Sequence, residues 1–422
     1  MLLRRKMIID YSIIYKDEVC VLLDLPASIQ FEPSLEFIAS KPAMKPYPLP
    51  EKESVGPSEE TDPLVLRSLN ALLRIRSWIQ IQKSPGKAAE TELITKRRKL
   101  DHCKCSAIVR IQEASPYRVN HLTMEHRHEE ELTEQYLSML HIMKQIPPVS
   151  SIVTLENSGV YEYGLEDLYQ RFLCNRSSHT VQLNLQGVKT FVSEADRVPA
   201  WSTYYVPPGA SFIMGDVEKT SNVLLEALEG KKLDTVVLDP PWPNRSVARK
   251  NSYPVNRHLG YLRHLPIKQL LKKDGIVAIW CTNKKKIIEF IKNDLFPSWN
   301  LCYITTWVWL KITMQGDPLF NIHSKMRKPW EQLIIGATPS YLKMHRERIQ
   351  DNYTLVSVPD YHSRKPSLHP FLKQWLNCDP IGLEIFGRCL SKNWITWGQQ
   401  PLYFMNTAYW KCNDGGCEPQ QF

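Results

Sequence analysis

Short apolar runs dominate the second half of the chain. Ser211-Phe212-Ile213-Met214, Thr235-Val236-Val237-Leu238, Ile276-Val277-Ala278-Ile279-Trp280, Thr306-Trp307-Val308-Trp309-Leu310, Gln332-Leu333-Ile334-Ile335 and Leu383-Glu384-Ile385-Phe386 are brief and almost uniformly apolar. Such runs read as strands buried on both faces rather than half-exposed ones. Residues 223–228, 284–291 and 369–376 fall between them with helical patterns. This alternation predicts an α/β fold: a Rossmann-like, doubly wound, mostly parallel sheet covered by helices on both faces.

The first half is patterned differently. Residues 1–40 alternate short apolar runs with acids, and Pro42, Pro46, Pro48, Pro50, Pro57 and Pro63 then make a stiff polar linker. Leu64, Leu66, Leu69, Leu72, Leu73, Ile75, Trp78 and Ile79 recur near helical spacing with Arg67, Arg74 and Arg76 among them, which predicts a packed helix. Residues 125–145 predict another helix, with Leu132, Leu137, Leu140 and Met143 on one face and Pro147-Pro148 ending it. The expected organisation is a segment and linker over 1–63, an accessory region of mixed helix and strand over 64–204, an α/β domain over 205–405 and a tail over 406–422.

Charge and cysteines narrow the setting. Lys and Arg outnumber Asp and Glu by 53 to 44, a formal charge of +9, which favours phosphate-rich partners through counterion release; a slightly basic protein with no such partner accounts for it equally well. No run approaches the roughly 18 consecutive apolar residues of a membrane helix, and Asp10 interrupts the only leader-like stretch, so no membrane partner and an intracellular location are expected. Ten scattered cysteines suit reduced thiols. His102-Cys103-Lys104-Cys105 with His126 and His128 matches no usual zinc spacing, and Cys412 and Cys417 still less, so no metal is expected. Lys96-Arg97-Arg98-Lys99 suits either a nuclear import signal or a nucleic-acid contact.

In doubly wound sheets ligands bind outside the carboxyl ends of the strands. Asp216, Asp239, Thr282-Asn283 and Gly387-Arg388 each follow a predicted strand, so four segments are expected to converge on one crevice. The most pointed of them is Asp239-Pro240-Pro241-Trp242. Two prolines directly after a strand remove two backbone donors and fix two φ angles, leaving a rigid loop. The Asp239 carboxylate and the Pro240 carbonyl suit the two hydrogens of an adenine exocyclic amine, whose lone pair would then face an incoming methyl group. Trp242 offers a ring for the base to stack on. The competing reading of the tripeptide is a plain strand-to-helix turn, and Asn283 reads equally as a helix cap or a substrate contact.

These residues resemble a known family, the DPPW-type (MT-A family) adenine-N6 methyltransferases. The resemblance covers roughly residues 205–403 and rests on Asp239-Pro240-Pro241-Trp242, Ser363-Arg364-Lys365-Pro366, Leu383-Glu384-Ile385-Phe386-Gly387-Arg388 and Asn393-Trp394-Ile395-Thr396-Trp397-Gly398 together. It implies the permuted strand order of that family, in which the Asp-Pro-Pro-Trp strand precedes the strand with the cofactor motif, and it accounts for the lack of a Gly-x-Gly-x-x-Gly fingerprint. It implies S-adenosylmethionine as cofactor, with Asp216 and Val217 at its adenine, Asp239 at its methionine amine, and Lys365, Phe386 and Arg388 as further contacts. Gln399 and Gln400 stand where the family has an Asn-Gln pair at the ribose, so the first is a substitution. Glu331 matches an acid near the target base; an exposed acid at the start of a strand is the other reading. Lys328-Pro329-Trp330-Glu331 and the long accessory region are similar to the branch of methyltransferase-like protein four. That branch implies RNA as partner, through internal N6 methylation of 2′-O-methyladenosine in U2 small nuclear RNA, and DNA adenine as the alternative substrate. A catalytically silent RNA-binding or scaffolding subunit is the reading of a different class. The nucleus is the expected location, ahead of the cytosol and the mitochondrion, and monomer or heterodimer is left open.

Overall fold

The computed structural model describes residues 13–25, 34–37, 43–47, 63–83, 147–186, 201–243, 259–324, 327–361 and 363–412. The expected helix over 125–145, the basic run 96–99, the histidine and cysteine cluster at 102–128 and Cys417 lie outside them. Among the described residues no helix is long and apolar enough to cross a membrane.

Twelve strands form one sheet. In chain order they are β1 (Ile13–Lys16), β2 (Cys20–Leu23), β3 (Ile152–Leu155), β4 (Phe172–Asn175), β5 (Ser211–Met214), β6 (Leu233–Leu238), β7 (Leu271–Cys281), β8 (Cys302–Lys311), β9 (Trp330–Ala337), β10 (Thr354–Ser357), β11 (Gly382–Ile385) and β12 (Ile395–Gly398). Across the sheet the order is β1-β2-β10-β8-β9-β7-β6-β11-β12-β5-β4-β3. The central run β7-β6-β11-β12-β5 is parallel throughout, with Leu238 level with Ile279 and Ile385, and Trp397 level with Ile385 and Ile213. β9 runs antiparallel between β7 and β8. The doubly wound, mostly parallel sheet predicted from the apolar runs is what forms.

Strand residues alternate between faces. Val236, Leu238, Val277, Ile279, Cys281, Leu383 and Ile385 pack on one side with Val223, Leu224 and Leu228 of α2 (Ser221–Leu228) and Ile287 of α3 (Lys285–Phe290). Val237, Ile276, Ala278 and Trp280 pack on the other with Tyr341 of α4 (Pro339–His345) and Phe371, Leu372 and Trp375 of α5 (His369–Leu376). With both faces covered, neither needs polar residues, which is why the strands read as continuous apolar runs.

The helix predicted from residue 64 is α1 (Pro63–Lys83), and its Val65, Ala71, Leu72 and Ile75 pack against β2, β8 and β10. Residues assigned to the N-terminal segment and to the accessory region supply β1 to β4 at both margins of the same sheet. The expected boundaries at 63 and 204 therefore do not separate two sheets, because the exposed margins of the central strands are completed by pairing with strands from outside 205–405. The strands at Val160–Gly164, Val181–Gln186 and Trp201–Val206, the last of which runs across the expected boundary at 204, form a separate three-stranded sheet.

Candidate active site

The parallel register brings the segments after β6, β11, β12 and β5 to one edge of the sheet, and the antiparallel β9 starts on that same edge. Asp239, Phe386 to Arg388, Gln399, Asp216 and Glu331 thus emerge along a single line. The segment after β10 crosses this edge and delivers Lys365.

Lys365 Nζ lies 3.0 Å from Asp239 Oδ2 and 3.2 Å from Glu331 Oε2, with its side chain only 13% exposed. Glu331 is also paired with Lys311, the last residue of β8. One acid therefore has two ammonium partners while the other shares one. Burial alone would raise the Glu331 carboxyl, but Lys365 and Lys311 outweigh it and pull it down to about 2. Burial raises the Asp239 carboxyl above the ordinary range; Lys365 opposes the rise and the charge on Glu331 adds to it. Burial favours neutral Lys365, yet the two carboxylates hold it protonated and above its usual value. The arrangement gives an anchored Glu331 and an Asp239 with increased affinity for a proton.

Asp239 and Lys365 open onto a cleft whose lining includes Trp280, Glu384, Phe386 and Arg388. Two non-glycine residues in the left-handed region flank it, Ser363 with φ 67° and Phe386 with φ 66°; for a bulky side chain that conformation is costly and is held by its surroundings. At Phe386 the surroundings are its own N–H, donated to the Trp397 carbonyl at 2.6 Å, and Gly398, where a Cβ would stand 3.0 Å from the Phe386 Cα. Gly398 thus lets the two backbones approach closely at the turn that carries Phe386 to the cleft.

Other expected site residues are placed differently. Trp242 is 7% exposed, packs in the core beside Ile279 and Ile385, and donates its indole N–H to the Trp280 carbonyl at 2.7 Å. Its ring fixes the loop to the strand end rather than standing free for a base to stack on, a correction that follows from its burial. Pro240 is buried and Pro241 partly so, and the Pro240 carbonyl accepts the Trp242 N–H at 2.7 Å, which leaves one lone pair for a second donor. Val217 is 3% exposed and its side chain belongs to the core, so its backbone alone is available to a ligand. Asp216 accepts the Glu218 N–H at 2.9 Å in the turn before α2. Gln399 is partly exposed and Gln400 is buried. Asn283 neither caps a helix nor leaves its amide free: it donates to the Trp330 carbonyl at 2.9 Å and accepts from Gln332 Nε2 at 3.1 Å. Glu331 is no exposed acid at a strand start, since its two lysine partners enclose it.

The MT-A70 family model matches residues 233–400, from the start of β6 to just past β12. An uncharacterized protein of Schizosaccharomyces pombe is 40% identical over 95% of this chain and 99% of its own length. This chain belongs to the MT-A70 family. Among MT-A70 relatives, the N6-methyladenosine RNA methyltransferase MTA1 of Cryphonectria parasitica is 39% identical over 49% of this chain and 62% of its own length. The N(6)-adenine-specific methyltransferase METTL4 of Homo sapiens is 33% identical over 62% of this chain and 52% of its own. The chain therefore spans between half and two thirds of these relatives.

Sequence reasoning passed over three members of this MT-A70 site. Glu384 lines the cleft, and its burial, with help from Asp239 and against Lys365, pushes it up to about 7; its signal was an acid in the middle of an apolar strand. Lys311 ends a buried strand and carried no signal. Arg364, 3% exposed, donates to the Leu25 carbonyl at 2.5 Å and pairs with Asp360 at 2.5 Å. The Leu25 carbonyl lies 339 residues away in sequence.

Proposed function

We propose that this chain is an S-adenosylmethionine-dependent methyltransferase that places a methyl group on N6 of adenine in single-stranded RNA, with the internal 2′-O-methyladenosine of U2 small nuclear RNA as its target. The observation that carries the reading is the Asp239–Lys365–Glu331 bridge on the sheet edge.

The residues suit the cofactor chemically. The cleft sets a carboxylate beside an ammonium, opposite charges for the ammonium and carboxylate of an amino-acid head group, with the Phe386 ring and Arg388 alongside. Asp239 and Lys365 would hold that head group, and Asp216, the Val217 backbone, Gln399 and Gln400 the nucleoside part. When bound, S-adenosylmethionine supplies an electrophilic methyl carbon on a sulfonium. Asp239 and the free lone pair of the Pro240 carbonyl orient the adenine amine by accepting its hydrogens. The raised proton affinity of Asp239 lets it hold the proton that the nitrogen gives up. Trp242 and the two prolines keep these acceptors rigid, and alignment of this kind accounts for about 7–11 kcal/mol of a barrier. The target amine must be reachable, so the base is single-stranded or extruded.

RNA is favoured because the Cryphonectria relative is named for it. The second reading is adenine in DNA, since a Caenorhabditis elegans relative, 31% identical over 47% of this chain and 53% of its own length, is named a DNA N6-methyl methyltransferase. A small nuclear RNA substrate would place the protein in the nucleus, with Lys96-Arg97-Arg98-Lys99 as import signal. The test is methyl transfer from labelled cofactor to matched oligonucleotides whose single target is adenosine, 2′-O-methyladenosine or deoxyadenosine. Preference for the 2′-O-methyl target is expected, and Asp239→Ala should lose transfer by about 10³-fold or more while staying folded. Retained turnover in that variant would remove Asp239 from the chemistry, and preference for deoxyadenosine would put the DNA reading first.

A further inference from the structure

β7 and β9 pair antiparallel with Cys281 opposite Gln332, so the chain leaving β7 and the chain entering β9 lie side by side on the edge that bears Asp239. Both are basic. Lys284-Lys285-Lys286 follows β7 and Arg327-Lys328 precedes β9. Asn283 joins them through its bonds to the Trp330 carbonyl and Gln332. Lys284 donates to the carbonyl of Pro243, the residue directly after the Asp239-Pro240-Pro241-Trp242 turn. Five cations are thereby gathered on two linked segments within a few residues of the catalytic loop and of Glu331.

The fold holds Lys284 and Lys328 but does not account for the other three. Lys285, Lys286 and Arg327 are exposed, and the contact of Lys285 with Glu289, one turn along the helix at 3.9 Å with both side chains largely exposed, is too weak to fix either. Lys328 lies over the Trp330 ring at 5.2 Å, which holds it beside the rim. The nearest acids of the site do not cancel the patch, because Asp239 and Glu331 are already matched by Lys365 and Lys311. An enzyme that acts on one base of a flexible strand must hold that strand beside the base, and cation–phosphate contacts do so without reading sequence.

We infer that this rim, with Lys285, Lys286 and Arg327 as its exposed cations, binds the phosphodiester backbone of the polynucleotide beside the adenine presented to Asp239. The inference rests on the adenine-methylating reading for its occupant, and a binding measurement separates the two. The intact chain and its Lys285→Ala/Lys286→Ala variant are titrated with a fluorescent single-stranded RNA oligonucleotide carrying one target adenine, over a series of salt concentrations, and methyl transfer is followed in parallel. Each phosphate neutralised on a single strand contributes about 0.7 to the slope of log affinity against log salt. The double variant should lose about 1.4 of that slope, raise KM for the oligonucleotide and keep kcat at saturation. Turnover of the shortest fragment that is still methylated should be unaffected, since it reaches no phosphate on the rim. Lys285→Glu/Lys286→Glu should weaken binding further. Unchanged slope and affinity in both variants would overturn the inference, as would failure of the intact chain to bind the oligonucleotide at low salt. A slope that falls as expected in a chain that transfers no methyl group would keep the rim and defeat the methylation reading.

Discussion

Glu384 and Glu331 show how two carboxyls on one edge come to opposite protonation behaviour. Glu331 has Lys311 and Lys365 within contact, whereas Glu384 sits half-buried near Asp239 and Lys365 offsets only part of the cost of its charge. Its carboxyl is raised from 4.5 to about 7, so the folded chain binds a proton more tightly than the unfolded one. Stability contributed by that proton is present at low pH and is lost as pH rises from about 4.5 through 7. Glu384→Gln should therefore match the parent well below pH 4.5 and exceed it at pH 8 by up to roughly 3 kcal/mol in urea unfolding. An equal difference at both pH values would mean that ionisation of Glu384 carries no cost. At this scale the aspartate and the rigid Asp-Pro-Pro-Trp loop were legible from residue type, whereas Lys365 was named only through the family resemblance. The role of Trp242 was misread, since a ring that stacks on a base and a ring that anchors a loop look the same until burial is known.

The element that brings Lys365 to the edge is the crossing segment after β10, and it is pinned from below. The Asp360–Arg364 pair is almost fully buried, at 4% and 2% side-chain exposure, and Arg364 also holds the Leu25 carbonyl. Burial raises the Asp360 carboxyl while Arg364 opposes it, so removing the guanidinium leaves a buried acid with its main counter-charge gone. Arg364→Gln should cost about 3–5 kcal/mol in chemical unfolding, the range for breaking a buried pair by deleting one partner. A loss under roughly 1 kcal/mol, the scale of an exposed pair, would show that water reaches Asp360 freely. The strands that carry Asp239 and Phe386 were readable as apolar runs, and so were α2 and α5. The crossing segment was not, because nothing local marks Arg364 as buried.

For the whole molecule, the N-terminal hairpin is part of the sheet. β2 pairs with β10 in parallel, and the Tyr353 hydroxyl donates toward the Asp17 and Cys20 carbonyls at 2.9 and 3.0 Å. Removing residues 1–25 would uncover the β10 backbone next to a strongly apolar core and withdraw the Arg364 acceptor. The shortened chain is expected to associate or precipitate, as exposed sheet edges do, which size-exclusion chromatography with light scattering would register. A stable monomer with an unchanged unfolding midpoint would show that the hairpin is dispensable. The division at 63 and 204 had marked composition, which shifts there, while strand pairing ignores composition and joins whatever backbone is free.

The sequence by itself determined the fold class, the central strands with their two-faced burial, and the acid and prolines of the candidate loop, because periodicity and side-chain chemistry are local properties, while the lysine was named only through the family resemblance. The tertiary structure decided which acid has two lysine partners, which ring is buried, which strands complete the sheet and which cations share a rim. Those depend on distances between residues far apart in the chain, and no spacing along the sequence encodes them.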